Sequence, residues 1–182
     1  VAHAQPGENV LVTGAGGGLG AHAVQIASAL GARVLAVTTS PSKVEPLEAL
    51  AAGEVILAEE LDFSEIALAL TEDRGVDVVV DTVGSALFRS SLRSLAQFGR
   101  MVLLGEVTGD RASLNLAEIL FRDAHIIGCT GAERCHISDV AGMVASGSIT
   151  PIVSQKFALE EATAAYRLMR AKKTFGRVIL VP

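Results

Sequence analysis

Short aliphatic runs recur along the chain at regular intervals and predict a series of buried strands. They begin at residues 10, 34, 55, 76, 101 and 125, so that successive starts lie 21 to 25 residues apart. The runs are continuous and do not alternate with polar residues, which is typical of parallel strands covered on both faces. The pattern therefore predicts six parallel strands, each followed by a connection long enough for a helix.

The intervals between these runs have helical periodicity, which predicts helices over residues 18–30, 43–52, 64–70, 85–95 and 117–121. Strands that alternate with helices indicate the α/β class, with a doubly wound parallel sheet and right-handed crossovers. After residue 128 the pattern predicts a helix over 137–146, a loop over 147–151, an extended segment to 157, a helix over 160–170 and a last strand over 178–181. We expect one domain of six parallel strands over residues 1–182, with a C-terminal tail from about residue 149.

Composition excludes several classes of function. Half of the residues are hydrophobic and 19% are charged, yet no apolar stretch approaches the length that a membrane span needs, so we expect no membrane partner. The net charge of -5 and the scattered basic residues argue against a nucleic-acid partner. Two cysteines, Cys129 and Cys135, do not make a disulfide framework, and no secretory signal is recognisable, so the expected location is the cytoplasm.

Residues 12–20 read VTGAGGGLG and hold the densest group of glycines in the chain. They follow the first apolar run and open the first predicted helix. Glycines at such a turn let the backbone approach a pyrophosphate closely, while the free N–H groups of the helix attract the anion. A tight turn without a ligand is the alternative, but a position at the head of a six-strand pattern is what a dinucleotide site requires.

The glycines fit the motifs of two dehydrogenase families. With Gly14, Gly18 and Gly20 as the motif, the stretch resembles short-chain dehydrogenases, which need a catalytic tyrosine followed four residues later by lysine. Tyr166 is the only tyrosine of the chain and is followed at that distance by Arg170, so this resemblance fails. Read as Ala-x-Gly-x-x-Gly over residues 15–20, the stretch resembles the medium-chain dehydrogenase/reductase superfamily, in particular its quinone-oxidoreductase-like branch.

Further segments carry the second resemblance, which extends from residue 6 to residue 181. They are residues 6–12, 24–27, 75–84, 99–102 and 175–180. The resemblance implies a Rossmann-type cofactor domain of an NADPH-dependent, zinc-independent oxidoreductase that transfers hydride to a small-molecule quinone, enone or enoyl-type double bond. It also implies that the GroES-like catalytic domain, which supplies most of the substrate pocket, is absent from this chain, and that the chain alone is inactive.

Two other functions remain open at this stage. The chain also suits the cofactor domain of a zinc-dependent alcohol dehydrogenase, whose metal ligands would lie in the GroES-like domain, or a dinucleotide-binding module without catalysis. The histidines and cysteines of this chain have no metal-ligand spacing, so we expect no metal site in it. His22 is expected to be a packed or surface residue and Cys129 a core thiol, and no residue is assigned a catalytic role.

The resemblance assigns a part of the coenzyme to each group of candidate residues. The pyrophosphate is expected at Gly17, Gly18, Leu19 and Gly20. The adenosine is expected along Thr82 and Val83. The nicotinamide ribose is expected near Leu104, Gly105, Glu106 and Val107. Phosphate contacts from the tail are expected at Lys172 and Arg177. Where many members have an aromatic residue after the third strand, this chain has Ala58, so adenine stacking is not expected there.

The end of the second strand indicates which coenzyme is bound. NAD-preferring sites place a carboxylate about 20 residues beyond the glycines, where it repels a 2′-phosphate. Residues 31–43 contain no acidic residue and instead end in Thr39, Ser40 and Lys43. Lys43 resembles the phosphate-binding lysine of NADPH-dependent relatives, and helix capping by Ser40 is compatible with that role. The sequence therefore predicts NADPH.

The sixth strand is expected to be a sheet edge. Related proteins dimerise by pairing their sixth strands, and residues 114–116 together with Ile126 and Ile127 would supply this edge here. An unpaired edge is a physical reason for association. We therefore expect a homodimer.

Overall fold

The computed structural model describes residues 1–50, 53–58 and 62–182. Its main sheet has six parallel strands: β1 (Asn9–Val12), β2 (Arg33–Thr38), β3 (Glu54–Leu57), β4 (Val76–Asp81), β5 (Leu95–Leu103) and β6 (His125–Gly128). Their spatial order is β3-β2-β1-β4-β5-β6. This confirms the predicted doubly wound α/β sheet, in which the direction of strand progression reverses between β1 and β4.

The helices between these strands are short. They are α1 (Gly20–Ala29), α2 (Val44–Glu48) preceded by a 3₁₀ turn (Pro41–Lys43), α3 (Ser64–Leu70), α4 (Phe88–Arg93) and α5 (Leu116–Leu120). Several predicted bounds were wrong: the first helix begins at Gly20 and the second ends at Glu48. The fourth spans only Phe88–Arg93, and Leu95 pairs with Val76 as the first residue of β5. The predicted end of the second helix, residues 51 and 52, lies outside the described residues.

The core lies in two layers, one on each face of the sheet. Leu11 of β1 packs into the layer that contains Phe63 and Met101, whereas its neighbours Val10 and Val12 pack into the layer that contains Val24. Successive side chains of a strand point to opposite faces, so a strand covered on both faces needs apolar residues at every position. The continuous apolar runs of the sequence therefore follow from the two layers.

After β6 the chain forms α6 (Arg134–Ala145), and the tail adds a second, two-stranded sheet beside the glycine turn. The tail contains β7 (Val153–Ala158), a 3₁₀ turn (Leu159–Glu161), α7 (Ala162–Arg170) and β8 (Arg177–Val181), and β7 and β8 pair in parallel. Helix α6 begins earlier than predicted because the Glu133 N–H donates to His136 Nδ1 at 3.1 Å and caps its first turn. None of the helices in the described part of the chain is long and apolar enough to cross a membrane.

Strand β6 lies at one edge of the main sheet, as expected, but the segment before α5 does not extend that edge. The Asn115 side chain accepts a hydrogen bond from the Ala117 N–H at 3.1 Å, and Leu116 is the first residue of α5. An asparagine in this position favours a helix start over a strand. The expectation that residues 114–116 form part of the edge was wrong.

Candidate functional site

A cavity of about 630 Å³ lies at the carboxyl ends of β1, β2 and β4, where the strand order reverses. Doubly wound sheets bind their ligands at this switch point. The cavity brings together eleven of the sequence-predicted residues: Gly17, Gly18, Leu19, Thr39, Ser40, Lys43, Thr82, Val83, Val107, Lys172 and Arg177. Residues from the turn, the sheet edge and the tail therefore meet in one space.

Four predicted residues lie elsewhere. Gly20 is buried at the start of α1, and a neighbouring cavity of about 420 Å³ is lined by Leu104, Gly105 and Glu106 together with Cys129. Several residues that line the first cavity have no site role in the sequence-based prediction: Gly14, Gly16, Val37, Thr38, Ala86, Leu87, Thr108, Met169, Thr174, Gly176 and Val178. Gly14 and Gly16 belong to the glycine run and could have been named, whereas no local signal marks Met169.

The glycine turn is packed too closely for side chains at two of its positions. A Cβ on Gly14, whose φ is +59°, would lie 2.6 Å from Thr82 Oγ1. A Cβ on Gly20 would overlap the Gly14 carbonyl oxygen and lie 2.7 Å from the Ala15 Cα. The Gly17 N–H donates to the Gly14 carbonyl at 2.8 Å and closes the turn. Glycine is therefore required for the turn to fold against α1 and β4.

A buried carboxylate fixes the turn after β4. Asp81 Oδ1 accepts hydrogen bonds from Thr13 Oγ1 at 2.7 Å and from the N–H groups of Val83 and Gly84, both at 2.9 Å. Thr82 adds two bonds to Thr13, one from its N–H to Oγ1 and one from its hydroxyl to the carbonyl oxygen. These bonds join the ends of β1 and β4 and hold Thr82 and Val83 at the wall of the cavity.

Three cations face the cavity. The Lys43 side chain lies against Gly16, and the Arg177 side chain crosses Gly18, whose Cβ would lie 3.0 Å from Arg177 Cδ. In the described part of the chain, Lys43, Lys172 and Arg177 form no ion pair. Burial lowers the pKa of Lys43, and the positive charge of Lys172 lowers it further. An anion placed between these side chains would offset both effects, so the site is suited to phosphate groups.

Glu106 organises a loop at the rim of the second cavity. Its carboxylate accepts hydrogen bonds from Ser85, Thr108 and Gly109, among them the Ser85 N–H at 2.9 Å and the Gly109 N–H at 2.9 Å. These bonds lower the pKa of Glu106 to about 2, so the side chain stays ionised at neutral pH. A contact of Glu106 with the nicotinamide ribose stays a prediction.

His22, Cys129 and the other histidine and cysteine side chains do not form a further site of their own in the described part of the chain. His22 is half-buried and hydrogen-bonded through both ring nitrogens, in agreement with its expected packing role. Cys129 is half-buried beside the second cavity, so the expectation of a core thiol was wrong. Cys129 directly follows β6, and because β6 is an edge strand, this position is not covered on its outer side by another described strand. Among the described residues, no group of three or more histidine, cysteine, aspartate or glutamate side chains is arranged to hold a metal ion.

The sheet order, the glycine turn and the cations at the switch point define a dinucleotide-binding domain of the Rossmann class. The sequence profile described as zinc-binding dehydrogenase matches residues 18–146, and the chain belongs to this family. The match confirms the predicted membership in the medium-chain dehydrogenase/reductase superfamily.

Three similar proteins illustrate the range of the family. Acryloyl-coenzyme A reductase of Metallosphaera sedula is 39% identical over 98% of this chain and 52% of its own length. The crystal structure of a Pseudomonas syringae quinone oxidoreductase has 32% identity and a TM-score of 0.88, over 99% of this chain and 58% of that one. A mycobacterial protein in complex with NADPH has 27% identity and a TM-score of 0.86, over 98% and 58% of the two chains. The chain spans about half the length of these relatives.

Proposed function

We propose that this chain is the NADPH-binding domain of a zinc-independent medium-chain oxidoreductase that transfers hydride to a quinone, an enone or an enoyl-type double bond. The similarity to an acryloyl-coenzyme A reductase, a quinone oxidoreductase and an NADPH complex supports this class of reaction. The other half of such relatives would supply the substrate pocket, so the chain alone is proposed to be inactive. Turnover of an enoyl thioester or quinone by the two-domain protein, unaffected by a zinc chelator, would separate this function from a zinc-dependent alcohol dehydrogenase.

The end of β2 is the observation that carries the coenzyme assignment. Thr39 and Ser40 line the cavity there, and Lys43 enters it from the 3₁₀ turn that follows. Residues 31–43 offer no carboxylate that would accept hydrogen bonds from both ribose hydroxyls. A cation and two hydroxyl donors instead favour a 2′-phosphate, because charge-assisted hydrogen bonds to phosphate are among the stronger polar contacts.

The chain's own residues would bind and orient the coenzyme. The backbone of Gly17, Gly18 and Leu19 would face the pyrophosphate at the start of α1, where the helix dipole favours an anion. The buried Gly20 would let α1 pack against the turn. Thr82 and Val83 form the wall along the adenosine, and the loop that begins with Leu104, Gly105, Glu106 and Val107 lies on the nicotinamide side. The nicotinamide itself supplies the hydride. Lys172 and Arg177 would hold phosphate oxygens from the tail.

Replacement of Lys43 by alanine tests the coenzyme assignment. We expect the substitution to raise the Kd for NADPH about tenfold or more, because a hydrogen bond to a charged group contributes about 1.5–3 kcal/mol. The Kd for NADH should stay within about twofold, since NADH lacks the 2′-phosphate. Fluorescence titration of both coenzymes measures the two values, with the exposed Lys156 of β7 replaced by alanine as the control. If Lys43→Ala weakened the binding of NADPH and NADH by the same factor, Lys43 would not recognise the 2′-phosphate and the assignment of NADPH would lose its support.

The unpaired edge of β6 supports a homodimer. The outer side of this strand has no neighbour within the described part of the chain, and its residues Ile126 and Ile127 are only half-buried. An open apolar edge favours pairing with a second copy. Light scattering at micromolar concentration should give twice the chain mass of 18.8 kDa; a monomeric mass would contradict the proposal. Two free cysteines, Cys129 and Cys135, support a location in the reducing cytoplasm, which fractionation would test.

A further inference from the structure

Two polar residues on one face of α1 form hydrogen bonds to the backbone of the segment that leads into β7. The Gln25 amide forms a pair of hydrogen bonds with the backbone of Thr150: Nε2 donates to the carbonyl at 3.0 Å, and Oε1 accepts from the N–H at 2.8 Å. Three residues earlier on the helix, His22 Nε2 accepts a hydrogen bond from the Ile152 N–H at 3.2 Å. Residues three apart lie on the same helix face, so the two side chains hold alternate residues of the tail.

The partners of His22 determine its tautomer. A backbone N–H can only donate, so Nε2 has to accept from Ile152 and carries no hydrogen. Nδ1 lies 2.7 Å from the Gly18 carbonyl oxygen, which can only accept, so Nδ1 carries the ring hydrogen. The neutral ring therefore connects the glycine turn to the tail, and neither bond would survive in the other tautomer.

The chain of contacts continues from Ile152 to Arg177. The Ile152 carbonyl accepts a hydrogen bond from the Arg177 N–H at 2.9 Å, and the preceding Gly176 N–H donates to the Gly16 carbonyl at 3.2 Å. Gly176 has a φ of +82°, and a Cβ there would lie 2.6 Å from the Ile152 oxygen, so the two segments are in close contact. From this position the Arg177 side chain crosses Gly18.

These contacts form a closed cycle that begins and ends at Gly18. It runs from Gly18 through the His22 imidazole to Ile152, from Ile152 to the Arg177 backbone, and from the Arg177 side chain back to Gly18. His22 does not line the cavity and can therefore act on a ligand there only through other residues. The exposed Arg177 has no side-chain ion pair in the part of the chain that is described, so its backbone position sets which part of the cavity its guanidinium can reach.

We propose that His22 is a positioning residue for the coenzyme: its bonds to Gly18 and Ile152 place the Arg177 guanidinium over the glycine turn, where it contacts a coenzyme phosphate. The inference rests on the proposed NADPH binding. Gln25 holds Thr150 and keeps the segment close to α1. His22 fixes the position of Ile152, whose carbonyl accepts the hydrogen bond from the Arg177 N–H. The sequence separation of 155 residues between His22 and Arg177 explains why no local pattern shows this relation.

A double-mutant cycle on NADPH affinity tests the proposal in the 182-residue chain. Arg177→Ala is expected to raise the Kd about tenfold. His22→Leu should raise it about fivefold in the wild-type background and less than about twofold in the Arg177→Ala background, because coupled residues are not additive. Equal effects of His22→Leu in both backgrounds, with NADPH binding by the wild type intact, overturn the positioning role alone. Failure of the wild type to bind NADPH overturns the proposed function as well.

Two conservative variants separate the two bonds of His22. The Gln side chain reaches about as far as Nε2, so His22→Gln keeps an acceptor for Ile152 and should recover most of the affinity lost in His22→Leu. The shorter Asn side chain in His22→Asn reaches only the Nδ1 position. It keeps the bond to Gly18 but should not recover the lost affinity. The ¹⁵N shifts of the His22 ring in the free chain should show hydrogen on Nδ1; hydrogen on Nε2, or equal recovery by both variants, overturns the proposal. Urea unfolding identifies any general loss of stability.

Discussion

Replacing Gly20 with alanine is expected to abolish NADPH binding and to lower the free energy of unfolding by about 3 kcal/mol, in the upper range for overpacked sites. The added Cβ would overlap the Gly14 carbonyl oxygen and lie 2.7 Å from the Ala15 Cα and 2.8 Å from the Gly14 carbonyl carbon. All three atoms belong to the backbone of the glycine turn, so no side chain can rotate away. Relief requires the turn to move away from α1, which would displace the backbone that we propose faces the coenzyme. Urea unfolding and fluorescence titration measure the two effects.

Gly142 provides a matched control, because its replacement by alanine is expected to raise the free energy of unfolding. It lies inside α6, is exposed, and a Cβ there would have no atom of the described residues within 4 Å. Alanine in a helix interior is more favourable than glycine by about 0.5–1 kcal/mol, so Gly142→Ala should stabilise the chain without a change in NADPH affinity. If Gly20→Ala were as harmless as Gly142→Ala, the turn would not be packed as described.

The fold was predictable because burial on both faces of the sheet leaves a strong signal in the sequence. Leu11, Val10 and Val12 show it directly, since adjacent residues of β1 enter different core layers. The start of β5 was missed because its first part is irregular. Pairing with β4 shifts after Val76, and Phe98, inside the strand, has a φ of +62°. Such a local deviation leaves no regular pattern of apolar residues.

The candidate site was predictable where local patterns determine it. The glycine run follows β1, and Lys43 lies in the 3₁₀ turn that follows β2. Parallel strands bring their carboxyl ends to one sheet edge, so the meeting of the two segments follows from the topology. Met169 of α7 reaches the cavity only because the tail folds back over it, which is a long-range property. The bonds of His22 to Ile152 have the same origin, as the two residues are 130 positions apart.

Replacement of Asp81 by alanine is expected to lower the free energy of unfolding by about 3 kcal/mol or more, because each buried donor left without a partner costs about 1–3 kcal/mol. Asp81 is fully buried and accepts from Thr13 Oγ1 and from the N–H groups of Val83 and Gly84 through one oxygen. Loss of these bonds frees the turn that holds Val83 at the cavity wall, so NADPH affinity should fall as well. Urea unfolding and coenzyme titration of the same variant measure both quantities.

Asp77, on the same strand, is the matched control for this prediction. It lies near the opposite end of β4 in a half-buried position and accepts one hydrogen bond within the described part of the chain, from the Asn9 N–H at 2.8 Å. Asp77→Ala should therefore cost about 1 kcal/mol and leave NADPH affinity unchanged. Asp81→Asn should fall between the wild type and Asp81→Ala, since its amide oxygen still accepts while its NH₂ group enters the place of Oδ2, which is buried and has no partner among the described residues. A cost for Asp81→Ala no larger than that for Asp77→Ala would show that this carboxylate does not hold the end of β4.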